Sequence, residues 1–163
     1  MASFNQQAAY TGTFAAGVPG MIANEEKYNA ISRTIKTPAG IAFGAPAMRG
    51  VGDHECLLFA TGGKYLGIAV KTMAPEHRAG GSAAITDGYP LNATASLCTQ
   101  GMLYILADVA VVPGDPVYYV TATGRYSNVA GASNLLIPNA RFDTTATAAG
   151  QIVEVSLGNH RVA

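Results

Sequence analysis

The run Met102-Leu103-Tyr104-Ile105-Leu106-Ala107 decides how this sequence is read. It is continuously apolar, with no polar residue at alternate positions to face water, so it reads as a central strand covered on both sides. Two stacked sheets meet that demand.

The neighbouring segments agree. Downstream, Tyr118-Tyr119-Val120-Thr121 leads into Ala122-Thr123-Gly124 and returns through Arg125-Tyr126, a hairpin in which Gly124 supplies the positive φ of the turn. Gln151-Ile152-Val153-Glu154-Val155-Ser156-Leu157 alternates as a half-buried antiparallel strand does. Residues 31–36 alternate too, with Ile31 and Ile35 on one face, and further short apolar runs at 41–43, 56–60, 65–72, 93–98, 116–123, 140–143 and 148–157 are bounded by Gly, Pro, Asn or Asp. Asn24-Glu25-Glu26 predicts one or two turns of helix. The whole predicts an all-β chain: a jelly-roll-like β-sandwich over residues 21–163, with a small barrel as the other architecture of this strand count. Residues 1–20 read as an extended N-terminal arm that docks on its own domain or on a neighbour, and the Gly-rich stretch 73–88 as a protruding loop.

Composition narrows the function. Charged residues make up 12% of the chain, about half the usual share, so much of the surface is uncharged and suited to being covered. Ten basic residues balance ten acidic ones, which removes the global field that draws in nucleic acid or anionic lipid. The 29 alanines and 19 glycines favour close-packed strands and tight turns over long helices. Residues 1–24 carry no charge, but Asn5, Gln6, Gln7, Thr11 and Thr13 interrupt them and no basic leader precedes them, so neither a signal peptide nor a membrane span is expected. The chain reads as soluble and made in the cytoplasm, with Asn92-Ala93-Thr94 a chance sequon. Cys56 and Cys98 lack CxxC spacing and read as two buried reduced thiols.

Motifs for catalysis are weak. His54, His77 and His160 sit in unrelated segments without metal-ligand spacing, and in Asp53-His54-Glu55 consecutive side chains point different ways, as in a turn that solvates charge. Gly80-Gly81-Ser82-Ala83-Ala84 lacks the last glycine of a nucleophile elbow, and Gly62-Gly63-Lys64 lacks the spacing of a phosphate loop. Gly114-Asp115-Pro116 is a turn before a strand, although Asp115 also has the chemistry to bind. No catalytic, metal or cofactor residues are assigned. The candidates for a protein interface are Phe4, Tyr10 and Phe14 in the arm, because aromatics carry much of interface energy, and Arg141, which sits among apolar strand residues and can pair with a partner carboxylate. A solvated edge position is the alternative for Arg141.

Val112-Pro113-Gly114-Asp115-Pro116-Val117-Tyr118-Tyr119, then Ala140-Arg141-Phe142-Asp143-Thr144 and Ala149 through Leu157, resemble phage structural cement proteins, as does the polar arm leading into Pro19-Gly20-Met21-Ile22-Ala23. The resemblance implies a jelly-roll-like domain on the outer surface of a virion, bound to the shell of major capsid protein, often as a homodimer across capsomer junctions. It implies no enzyme activity, cofactor, nucleic acid or membrane partner. The 73–88 loop departs from that pattern. A rival reading is a carbohydrate- or receptor-binding β-sandwich, which needs exposed aromatics along a groove; the chain has no Trp and its Tyr residues are scattered. A cupin-like metal enzyme ranks third.

Overall fold

The computed structural model describes residues 17–24, 27–72 and 87–158. Eleven strands follow one another there: β1 (Asn29–Ile35), β2 (Ile41–Ala42), β3 (Pro46–Arg49), β4 (Glu55–Leu58), β5 (Tyr65–Ala69), β6 (Gly88–Tyr89), β7 (Thr94–Leu106), β8 (Pro116–Val120), β9 (Arg125–Ser127), β10 (Asn134–Phe142) and β11 (Ile152–Leu157). The all-β expectation holds. In place of two stacked jelly-roll sheets, the pairings describe a five-stranded ring that continues into a second curled sheet. β1 pairs with β7 on one side and with β4, in parallel, on the other, so the order β1-β4-β3-β5-β7 returns to β1. From β7 the sheet runs on through β11, β10, β8 and β9. It then bends back, because Tyr126 of β9 bridges Ala107 and accepts a bond from Asp108 N–H at 2.6 Å.

β7 serves both halves, and one irregularity lets it do so. Ala30 faces Cys98 while Asn29 faces Gln100, so Thr99 is an extra residue in the ladder. An added residue exchanges the faces of everything after it. Ahead of the bulge Ala95 and Leu97 point into the first ring; beyond it Leu103 and Ile105 join Cys98 in the core of the second. Gly101 follows at φ +131, where a Cβ would stand 2.6 Å from Tyr28 Cβ, so only glycine fits. The apolar runs expected as separate strands at 93–98 and 102–107 are thus one long strand. Sequence periodicity missed this because the bulge breaks the alternation.

The first core is built from small side chains: Ala45, Ala47, Ala69, Ala93, Ala95 and Cys56 around Ile35, Ile41, Leu97 and Tyr89. A ring of few strands has a narrow interior, and alanine is what fills it. The second core holds Leu103, Ile105, Val117, Tyr119, Tyr126, Ile137, Phe142, Val153, Val155 and Leu157. Cys56 lies in the first core and Cys98 in the second, which agrees with two free, buried thiols.

Local corrections have local causes. The helix expected after Asn24 does not form in the described residues: 27 and 28 are irregular and β1 starts at Asn29, residues 25 and 26 lying outside the description. β3 and β6 were not expected, and Gly88 reads as the end of the 73–88 loop. β10 begins at Asn134, well before the expected 140, and tolerates Pro138 because its pairing with β8 skips from Leu136 to Arg141. At 148–151 a turn replaces the expected strand; Gln151 Oε1 accepts from Thr147 N–H at 2.7 Å.

Candidate interaction surface

Cross-strand partners share a face, so the ladder itself locates the outer surface of the second sheet. Leu136 stands opposite Tyr118, Arg141 opposite both Pro116 and Ser156, Ser156 opposite Met102, and Glu154 opposite Tyr104. Met102 and Tyr104 are buried because residues 17–24 lie against them. Gly20 N–H donates to Tyr104 O at 2.8 Å, Ala23 N–H to Met102 O at 2.9 Å, and a Cβ on Gly17 would collide with the Tyr104 ring. The chain leading out of the arm therefore runs antiparallel alongside β7, where Ile22 bridges Leu103. Beyond it Leu136 is 52% exposed, and Pro138 and Arg141 are exposed beside it. The extra residues of β10 push Pro138 and Asn139 outward, Asn139 at φ +55.

Phe4, Tyr10 and Phe14 lie outside the described residues, as does most of the 73–88 loop. Arg141 is on an exposed strand position, its Nη1 3.5 Å from the carbonyl of Ala140, and among the described residues it has no ion pair.

A cavity of about 360 Å³ opens where the two halves meet, lined among others by Pro19, Phe43, Leu106, Tyr119 and Tyr126. Lys71 and Asp87 pair at its rim at 3.5 Å, and the Lys71 ammonium stands 5.4 Å from the centre of the Phe43 ring. Tyr126, which lines it, donates its hydroxyl to Gly44 O at 2.6 Å, and nearby Tyr89 donates to Val70 O at 2.7 Å, tying the second sheet and the β6 strand to the first ring. The Tyr126 phenol is held well above its usual range by burial. Burial likewise pushes the Cys56 and Cys98 thiols up to about 11, which keeps them protonated and poor nucleophiles.

The acidic residues singled out from sequence have local work. Asp115 Oδ2 accepts from Val112 N–H at 3.1 Å and from Asn128 at 2.6 Å, so it fastens the turn before β8 to the bend that follows β9. Asp53 pairs with Arg49 at 3.3 Å, and Glu55 accepts from Gly52 N–H at 3.0 Å. These bonds stiffen the β3–β4 tip around Val51, which is fully exposed. No group of three or more His, Cys, Asp or Glu side chains among the described residues is placed to hold a metal. Sequence reasoning missed Leu136 and Pro138: only the pairing register reveals that they bulge outward.

Residues 6–158 match the family described as structural cement protein (E217 gp24/Pam3 gp6). A chain of the solved structure titled "The capsid of Myoviridae Phage XM1" is similar in fold, with a TM-score of 0.67 at 16% sequence identity, over 94% of this chain and 98% of that one. No curated protein matches.

Proposed function

Because this chain belongs to the structural cement protein family, we propose that it binds the outer surface of an assembled phage capsid and strengthens contacts between major capsid protein subunits. A capsid-associated structural role comes with the family. The observation that carries it is the outer face of the second sheet, where Leu136, Pro138 and Arg141 stand exposed beside the chain leaving the arm. Such a face, with an exposed leucine and proline next to an arginine that has no ion pair among the described residues, is suited to burial against protein.

In this reading residues 1–20 are the arm and 21–163 the domain. Phe4, Tyr10 and Phe14 anchor on a neighbouring subunit, Arg141 meets a carboxylate there, and the protein sits as a homodimer across junctions of the shell. It performs no catalysis and recruits neither nucleic acid nor membrane. A standard interface buries about 1,600 Å², and repetition over the shell turns a modest affinity into resistance against internal pressure. The jelly-roll form of the sandwich has no role in it; the two-ring body serves equally well as a rigid clamp.

The test is particle stability with and without this protein. Particles stripped of it should release their genome at lower temperature, and re-addition should restore them; equal stability of both overturns the role. Removing residues 1–16, which spares the Gly17 and Gly20 contacts with the domain, should lower occupancy on particles while the isolated domain stays folded. The cavity, with Phe43, Tyr119, Tyr126 and a charged pair at its rim, supports the second reading, a carbohydrate- or receptor-binding module of the particle. Saturable glycan-array binding lost on Phe43→Ala would favour that one.

A further inference from the structure

β1 runs antiparallel to β7 from Asn29 to Thr34, yet β4 meets it only at Thr34 and Ile35. Among the described residues no strand lies along the other side of residues 29–33. Which backbone groups face that gap follows from the last two bonds of the strand. Ile35 N–H donates to Ala93 O, toward β7, and Thr34 N–H to His54 O, toward β4. Directions alternate, so Ser32 and Ala30 direct their N–H and C=O groups to the same side as Thr34, where β4 has not yet begun. Both residues are exposed. Among the described residues the Ser32 carbonyl is covered by the guanidinium of Arg33, Nη1 to O 2.8 Å.

Open edges invite another strand unless something blunts them. On β10, pairing with β11 starts only at Ala140, so residues 134–137 also lack a strand on that side, but they end in a bulge, Pro138 and a left-handed Asn139. Along this edge β1 has neither a proline nor a left-handed residue, and the irregularity in its ladder, between Asn29 and Ala30, lies at its start. The edge is flanked by cations: β1 carries Arg33, with Lys27 before it and Lys36, paired with Glu55 at 3.8 Å, after it. A second copy pairing edge to edge would bring the same cations together, whereas a segment carrying a carboxylate would meet them favourably.

We infer that the Asn29–Arg33 edge takes up an extended, acidic segment of a shell protein as an added strand. The segment bonds to the backbone of Ala30 and Ser32, and Arg33 turns from the Ser32 carbonyl to a partner carboxylate. The inference rests on the capsid-binding reading and names its partner and contact.

Proline scanning separates this edge from the fold. The N–H groups of Ala30 and Ser32 point away from β7, so Ala30→Pro and Ser32→Pro remove a donor the domain does not use, while Ile31→Pro removes one it needs. On genome-filled particles lacking the protein, each edge variant should bind at least about tenfold more weakly than wild type with its melting temperature retained, and Arg33→Glu should weaken binding similarly. Amide exchange at Ala30 and Ser32 should slow on bound particles; this readout decides the matter if a proline variant fails to fold. Wild-type affinity of a folded proline variant, or unchanged exchange at both amides, overturns the inference and leaves capsid binding standing. Protection that grows with concentration in the absence of particles overturns it in favour of self-pairing. Failure of the wild type to bind particles removes the capsid reading, and this partner with it.

Discussion

The two halves that share β7 solve the same packing problem with different side chains. In the first ring five alanines and a cysteine do the filling; in the second, Phe142, Tyr119 and Tyr126 stand among branched aliphatics. The first half has its strands so close that a Cβ on Gly67 would come 2.5 Å from Cys98 O. A tight ring excludes volume, so it is sensitive to additions, whereas a wider core with large residues is sensitive to losses. The alanine-rich composition thus has a structural origin in one half of the molecule, separate from any role at the surface.

The largest effect should come from emptying the second core. Phe142→Ala is expected to cost about 3–5 kcal/mol in chemical denaturation, since the ring is 1% exposed and sits in the middle of that cluster. Filling the first ring is the complementary test: Ala95→Leu should cost roughly 1–3 kcal/mol by overpacking. A neutral Ala95→Leu would mean the first ring has spare room, and the contrast between the halves would fail. Asp115→Ala, which frees Val112 N–H and Asn128 at the edge of the second half, should lower stability by about 1 kcal/mol without altering the first.

Each core also holds one thiol, and both titrate late. The unfolded chain gives up these protons near the ordinary value of 9.0, the folded chain only at about 11. Their contribution is therefore complete below about pH 9 and is lost as pH rises toward 11. Denaturation midpoints should fall across that window, and a Cys56→Ala, Cys98→Ala double variant should flatten the fall. The smallest effect belongs to the surface: Arg49→Ala, breaking an ion pair whose side chains are 55% and 87% exposed, should stay within about 0.5 kcal/mol.

Much of the strand pattern was legible because alternation and turn residues are local. β1, β4, β5, β8 and β11 fall where the periodicity of residues 31–36, 56–60, 65–72, 116–123 and 151–157 put them, and the Gly124 turn closes its hairpin at φ +70. β3 was hidden by Pro46, and β10 by Pro138, whose tolerance depends on a gap in the partner ladder. Of the candidate contact residues, Arg141 was readable as a cation on a strand, while Leu136 and the bare edge at Ala30 and Ser32 were not. Their exposure depends on what the neighbouring strands fail to cover.

Sequence by itself determined that this chain is built mainly of short strands and turns, poor in charge and short of any residue pattern for catalysis, since hydrophobic period and composition act over a few residues. Only the tertiary structure decided that the strands close into a ring and run on into a second sheet. That outcome turns on one extra residue at Thr99 and the glycine after its neighbour, which swap the faces of β7, and on which strand ends happen to lie side by side. Such pairings join residues far apart in the chain, and no local rule carries them.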